Sequence, residues 1–220
     1  MDEQLTDEQQ AEIVRNWFRD NGGFIFGGIV VAVGALFGWQ QWQGYQDTQA
    51  ERASALYEAL LGAVRGGRTT QADEFFADLD QQYSGSTYVD QARFVLAKSY
   101  MDRSDFESAI GHLAAVVDHT SSNELRHIAT LRLARVWLQQ RQFDVALEVL
   151  GATTPDSAFA SRYDEVRGDI YHAQGRTDEA RAAYEAALTN DDEAPVIDAV
   201  YVQAKLDALG GATTSEEPAE

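Results

Sequence analysis

Nineteen consecutive residues, Phe24 to Trp42, carry no formal charge, and this run constrains the fold more than any other part of the chain. A helix of that length rises roughly 28 Å, close to the ~30 Å hydrocarbon core of a bilayer. Trp17 and Phe18 precede the run, and Trp39, Trp42 and Tyr45 close it, which places amphipathic rings where headgroups favour them. The pattern predicts one transmembrane helix over 23–45, entered from an acidic segment at 1–22. A cleaved signal peptide would begin with basic residues, whereas the first twenty residues hold six acids against Arg15 and Arg19. An uncleaved anchor is therefore expected. Arg15 and Arg19 stand just before the run, and Arg52 is the only basic residue in the twenty that follow it. That bias puts the N-terminus in the cytoplasm and the rest of the chain on the far side, the periplasm of a Gram-negative cell.

Within the run, Gly23, Gly27, Gly34 and Gly38 fall within about 60° of one another at 100° per residue. They form two small-xxx-small pairs on one stripe, a surface that admits a second membrane helix closely. Glycine is also simply common in membrane helices, so the stripe is a packing expectation and not a motif. From Thr48 to Gly62, apolar residues recur at helical spacing, which predicts that the anchor helix runs on into the folded domain.

The remainder, 46–209, is organised by a repeat. Ala72, Ala109, Ala146 and Ala180 recur 37, 37 and 34 residues apart. In the last unit Gly168, Tyr171, Gly175, Ala180, Tyr184 and Ala187 occupy positions 8, 11, 15, 20, 24 and 27 of a 34-residue tetratricopeptide pattern. Leu96, Ala97, Tyr100, Phe106, Ala109 and Ile110 stand in register in the second unit, and Leu133, Ala134, Trp137, Phe143, Ala146 and Leu147 in the third. Small residues at positions 8 and 20 let two helices cross closely, and the aromatics fill the space between neighbouring hairpins. Around Asp73 to Gln82 the first unit keeps only part of the pattern, as a terminal repeat does. Ala194 to Leu209 is amphipathic, with Val196, Ala199, Val200, Val202, Leu206 and Leu209 able to cover the last hairpin. The expected fold is all-α: one membrane helix, then a solenoid of about four hairpins with a C-terminal capping helix, then an acidic tail at 210–220.

Function is read from surfaces, because little in the sequence suggests chemistry. His112, His119, His127 and His172 are scattered and sit in no zinc or nucleophile motif. The chain has no cysteine, so no disulfide holds it. The glycines Gly22, Gly23, Gly27 and Gly28 lie at the membrane run, not in a phosphate loop. With 36 acidic against 17 basic residues and a net charge of −19, nucleic acid is not an expected partner. No catalytic residue, cofactor, metal or small-molecule substrate is expected. A tetratricopeptide solenoid works through the concave surface lined by the first helix of each hairpin. The register puts Phe94, Lys98 and Met101 there from the second unit and Leu131, Arg132, Arg135 and Leu138 from the third. Apolar and basic residues meeting in one groove suit an extended or helical peptide; the plainer alternative is that the leucines pack the hairpin and the cations make surface ion pairs.

An acidic N-terminus, Asn21-Gly22 entering a single span, Gly38-Trp39 and Trp42 leaving it, and repeats containing Leu131-Arg132-Leu133-Ala134-Arg135-Val136 and Arg167-Gly168-Asp169 resemble the YfgM family, ancillary subunits of the SecYEG translocon. The resemblance covers nearly the whole chain, short of the acidic tail. It implies a single-pass protein of the bacterial inner membrane with periplasmic repeats, associated with the SecYEG translocon and with the membrane-anchored chaperone PpiD. It also implies a role in passing exported polypeptides to periplasmic chaperones and a link to envelope stress responses. An envelope scaffold that assembles folded partners, without binding unfolded clients, would use the same repeats and stays open at this point.

Overall fold

The short links between helices set the architecture. Backbone reversals occur at Gly67, Ser104, Arg141 and Gly175, all in the left-handed region with φ of 68°, 62°, 59° and 76°. Each carries the same pair of hydrogen bonds back to the preceding helix, for example Ser104 N to Met101 O and Asp105 N to Tyr100 O, both 2.9 Å. Arg141 and Gln142, and Gly175 and Arg176, repeat the pair in later units, and Gly67 and Arg68 in the first. This is a helix-ending motif that satisfies the last carbonyls while turning the chain. The four reversals are spaced like the four alanines, so one turn per sequence repeat folds each unit into a helical hairpin.

The computed structural model describes residues 7–154, 157–189 and 197–210, and among these all regular structure is helical. The elements are α1 (Asp7–Arg65), α2 (Thr69–Gln82), α3 (Thr87–Asp102), α4 (Phe106–His119), α5 (Asn123–Gln139), α6 (Phe143–Ala152), α7 (Ser157–Ala173), α8 (Thr177–Thr189) and α9 (Ala199–Gly210). The chain divides into two units at Ala55 and Leu56.

The first unit is the N-terminal part of α1. Its apolar side chains stand outward, Phe24 at 85% exposure and Phe37 at 66%. The single span expected over 23–45 is met only in part. No single helix among the described residues is long and apolar enough to cross a membrane, whereas Arg15–Phe24 and Phe26–Arg65, bent by 42°, pass together by length and composition. Two features account for this. Gln40, Gln41 and Gln43 are uncharged but polar, so the apolar part of the run is shorter than the uncharged part. The bend lies between the pairs Gly22-Gly23 and Gly27-Gly28, and glycine pairs are common sites of helix kinks.

In the second unit, Leu56–Arg65 of α1 leads through the Gly67 turn into α2; α3–α4, α5–α6 and α7–α8 follow as packed hairpins. Serine and aspartate caps start the helices: Ser86 accepts from Tyr88 N, Asp105 from Ser108 N and Ser122 from Leu125 N. The repeat alanines Ala72, Ala109, Ala146 and Ala180 are all fully buried, as are Ala134 and, to within 3%, Ala97. Around Ala97, Ala109 and Leu133 one apolar cluster joins the second hairpin to the third; around Ala134, Tyr163 and Ile170 another joins the third to the fourth. Between the first two hairpins Tyr100 Oη donates to Asp73 Oδ1 at 2.7 Å.

The capping helix begins later than its sequence pattern suggests. Asp198 accepts from Tyr201 N at 3.1 Å and starts α9 at Ala199. Ala194 and Val196, like the tail beyond Gly210, lie outside the described residues. Val202, Leu206 and Leu209 pack on Ala180, Tyr184 and Ala187, but Val200 is 82% exposed. It stands two residues from Val202, about 200° around the helix, so it could not share that face.

Candidate functional site

The first helices of successive hairpins contribute to one continuous surface. Between α3 and α5 lies a cavity of about 290 Å³ whose walls include Phe94, Lys98, Met101, Arg132 and Arg135. Toward α2 it continues into a depression bounded by Val64, Thr69, Phe94, Arg103 and Arg132. Toward α7 and α9 it continues past Leu131, Arg135, Phe159, Arg162 and Lys205.

Five of the seven groove residues expected from the sequence meet at the central cavity. Phe94 is half-buried against the cluster around Ala97, and the Arg132 guanidinium lies 4.7 Å above its ring centre. That distance suits a cation on an aromatic face. Lys98 is exposed and reaches Asp102 at 2.8 Å, one turn along α3. Arg135, 41% exposed, approaches Glu165 at 3.9 Å. Burial pushes its basicity down and Glu165 pushes it back up, while Arg162 and Arg132 add to the fall. The two leucines sit differently. Leu131 is 4% exposed and forms the floor of the α5–α7 depression from within the core. Leu138 does not enter the groove; it packs with Trp137, Phe143 and Phe159 around Ala146 and Tyr163. On α5 it lies seven residues from Leu131 and turns toward the same hairpin core.

An ion-pair network at the α7 end escaped the sequence reading. Lys205 Nζ, carried by α9, donates to Glu165 Oε1 at 3.0 Å and to Asp169 Oδ1 at 2.7 Å. Arg162 Nη1 reaches Glu165 Oε2 at 2.7 Å. Burial of Glu165 opposes its charge, but the bonds from Lys205 and Arg162 outweigh it and hold the carboxyl below its ordinary range. Asp169 also accepts from Tyr184 Oη at 2.8 Å, and burial together with that carboxylate pushes the phenol well up.

In the N-terminal part of α1, Gly23, Gly27, Gly34 and Gly38 have nothing within 4 Å of where a Cβ would stand. Among the described residues no group of three or more His, Cys, Asp or Glu is placed to hold a metal ion.

Stacked helical hairpins with a recurring turn geometry and an open groove define a tetratricopeptide-like solenoid. Residues 15–211 match the family described as Tetratricopeptide repeat-like domain. The ancillary SecYEG translocon subunit of Escherichia coli (strain K12) is 32% identical over 188 residues, covering 84% of this chain and 88% of that protein. The protein of the same name from Haemophilus influenzae is 31% identical over 186 residues, covering 83% and 89%, and that from Neisseria gonorrhoeae 26% over 206, covering 93% and 98%. The chain belongs to this family of tetratricopeptide-like proteins, the YfgM family of ancillary SecYEG translocon subunits. Among solved structures, the MamA RS-1 ArsTM double mutant shares the fold, with a TM-score of 0.53 at 16% identity over 76% of this chain and 88% of that one.

Proposed function

We propose that this chain is a non-enzymatic interaction protein ancillary to the SecYEG translocon. The N-terminal part of α1 anchors it in the bacterial inner membrane, N-terminus in the cytoplasm and repeats in the periplasm. There the groove takes apolar stretches of exported polypeptides and passes them on together with a PpiD-like membrane-anchored chaperone. The observation that carries this reading is the open cavity that brings Phe94 and Met101 together with Arg132 and Arg135, in a chain of this family. A half-buried aromatic and a thioether offer an adaptable apolar seat, and the cations rim it.

Site-specific photocrosslinking in intact cells tests it, with probes at Phe94, Met101 and Arg132 and a control at the exposed Glu148 of α6. Capture of translocon subunits, the chaperone and many exported chains from the groove, and not from Glu148, is the expected result. Capture of one stoichiometric folded envelope protein would instead establish a scaffold that binds no unfolded clients.

A further inference from the structure

The groove inverts the charge of the molecule around it. The chain holds 36 acidic and 17 basic residues, yet the α3–α5 cavity is lined by Lys98, Arg132 and Arg135 and, among the described residues, by no carboxylate. In the adjoining depression Arg132, Arg135, Arg162 and Lys205 outnumber Glu165 and Asp169. Those two acids are already engaged: Lys205 bonds both, and Arg162 bonds Glu165. Arg135 is left with only a loose approach to Glu165, and Arg132 is seated over the Phe94 ring rather than against a carboxylate.

Guanidinium groups beside an apolar floor suit one chemistry in particular, a carboxylate next to an apolar side chain. Arginine presents a planar fork that a carboxylate meets with two charge-assisted bonds, roughly twice as strong as neutral ones. We propose that the groove selects extended segments in which an aromatic or aliphatic side chain is flanked by Asp or Glu. The apolar side chain rests on Phe94 and Met101, and the acid pairs with Arg132 and Arg135. This rests on the reading of the groove as a client site and adds the client's composition. The net charge of the whole chain repels acidic segments at a distance, so the selection acts at contact and weakens as salt screens the exposed arginines.

The test uses the full chain in lipid nanodiscs and three fluorescein-labelled peptides that share one Leu-Trp-Phe core, flanked by Glu, by Gln or by Lys, read by fluorescence anisotropy. The Glu-flanked peptide is expected to bind roughly tenfold or more tighter than the Lys-flanked one, a difference two charge-assisted contacts can supply. R132Q with R135Q should erase that ratio, R132K with R135K should keep part of it, and F94A should weaken all three peptides alike. Equal binding of the Glu and Lys peptides, still weakened by F94A, overturns the acidic selection while the client groove stands. If no peptide binds either the full chain or one ending at Gly211, or F94A changes nothing, the groove reading falls and the proposal with it. A chain ending at Gly211 gives a further arm. If the Glu-flanked peptide binds only that shortened chain, the chain's own Glu216, Glu217 and Glu220 hold the groove in the full chain, and selection of acidic clients by the full chain is overturned.

Discussion

Tyr184 of α8 rests its ring on the backbone of α7 at Gly168, where a Cβ would stand 2.5 Å from both Cδ1 and Cε1. The two earlier hairpins fill the equivalent positions with other sizes: Ala97 and Leu113 share one buried cluster, and Ala134 and Leu150 share the other. The aromatic and the glycine thus form a matched pair, and the phenol is held further by its bond to Asp169.

Gly168→Ala is expected to destabilise the repeat domain by about 1–3 kcal/mol through overpacking. Urea unfolding followed by circular dichroism reads this as a lowered midpoint. Combining it with Tyr184→Leu should cost less than the sum of the two single changes, because the crowding disappears. Strict additivity would mean that the ring is not what excludes a side chain at this position.

The four turns allow an internal comparison. Ser104 and Arg141 are exposed residues with positive φ, where the equivalent turns have Gly67 and Gly175. A left-handed conformation costs a non-glycine residue roughly 1–2 kcal/mol. Ser104→Gly and Arg141→Gly should therefore each raise stability, by up to about 1 kcal/mol after the added chain entropy of glycine is subtracted. Gly175→Ala should lower it by about 1 kcal/mol. Opposite signs for the two kinds of change in the same unfolding assay are the expected outcome.

How much of this was legible in the sequence depended on distance along the chain. The hairpins were, because one alanine per unit and one turn per unit share the same spacing, and both lie within single repeats. Phe94, Lys98, Met101, Arg132 and Arg135 followed from that register, since it fixes which face of α3 and α5 opens to the groove. Leu138 did not follow, because a leucine near the end of α5 satisfies the groove and the core patterns equally, and packing of Phe143 and Phe159 decides between them. The Lys205 network was invisible: Lys205 meets Glu165 and Asp169 across 40 and 36 residues, through a helix whose start is set by the Asp198 cap. In the N-terminal run, glutamines end the apolar stretch without ending the uncharged one, so absence of charge overstates its apolar length.

Acid should loosen the domain in two stages. His112 lies between the rings of Phe76 and Tyr100, and its Nδ1 is buried without a hydrogen-bond partner. Burial depresses its pKa below the ordinary 6.5; Arg93 adds to the fall, and Asp73 and Asp80 oppose it. A depressed folded-state pKa means the stabilisation stands above the unfolded value and is lost as pH falls below 6.5 through the folded one. Glu165, held below its ordinary 4.5 by Lys205 and Arg162 against the effect of burial, loses its contribution in a second, lower window by the same sign. Urea midpoints measured from pH 8 down to about pH 2 should fall in both windows. His112→Phe should flatten the upper one and leave the lower unchanged.

The glycine stripe in the N-terminal part of α1 carries the last expectation, which rests on the proposed membrane anchor. The four glycines Gly23, Gly27, Gly34 and Gly38 have open space where side chains would begin, and among the described residues nothing fills it. In lipid, helices associate by close backbone approach, and small residues permit it. Gly27→Leu together with Gly34→Leu adds apolar surface, so membrane insertion should persist, while two bulky side chains keep a partner helix at a distance. Carbonate extraction reports the insertion, and co-purification of translocon subunits and the chaperone in mild detergent reports the association. Insertion unchanged with recovery of at least one partner reduced about tenfold is the expected result, corresponding to ~1.4 kcal/mol of lost contact. Undiminished recovery of every partner would assign the association to the repeat domain alone and leave the stripe as ordinary membrane-helix composition.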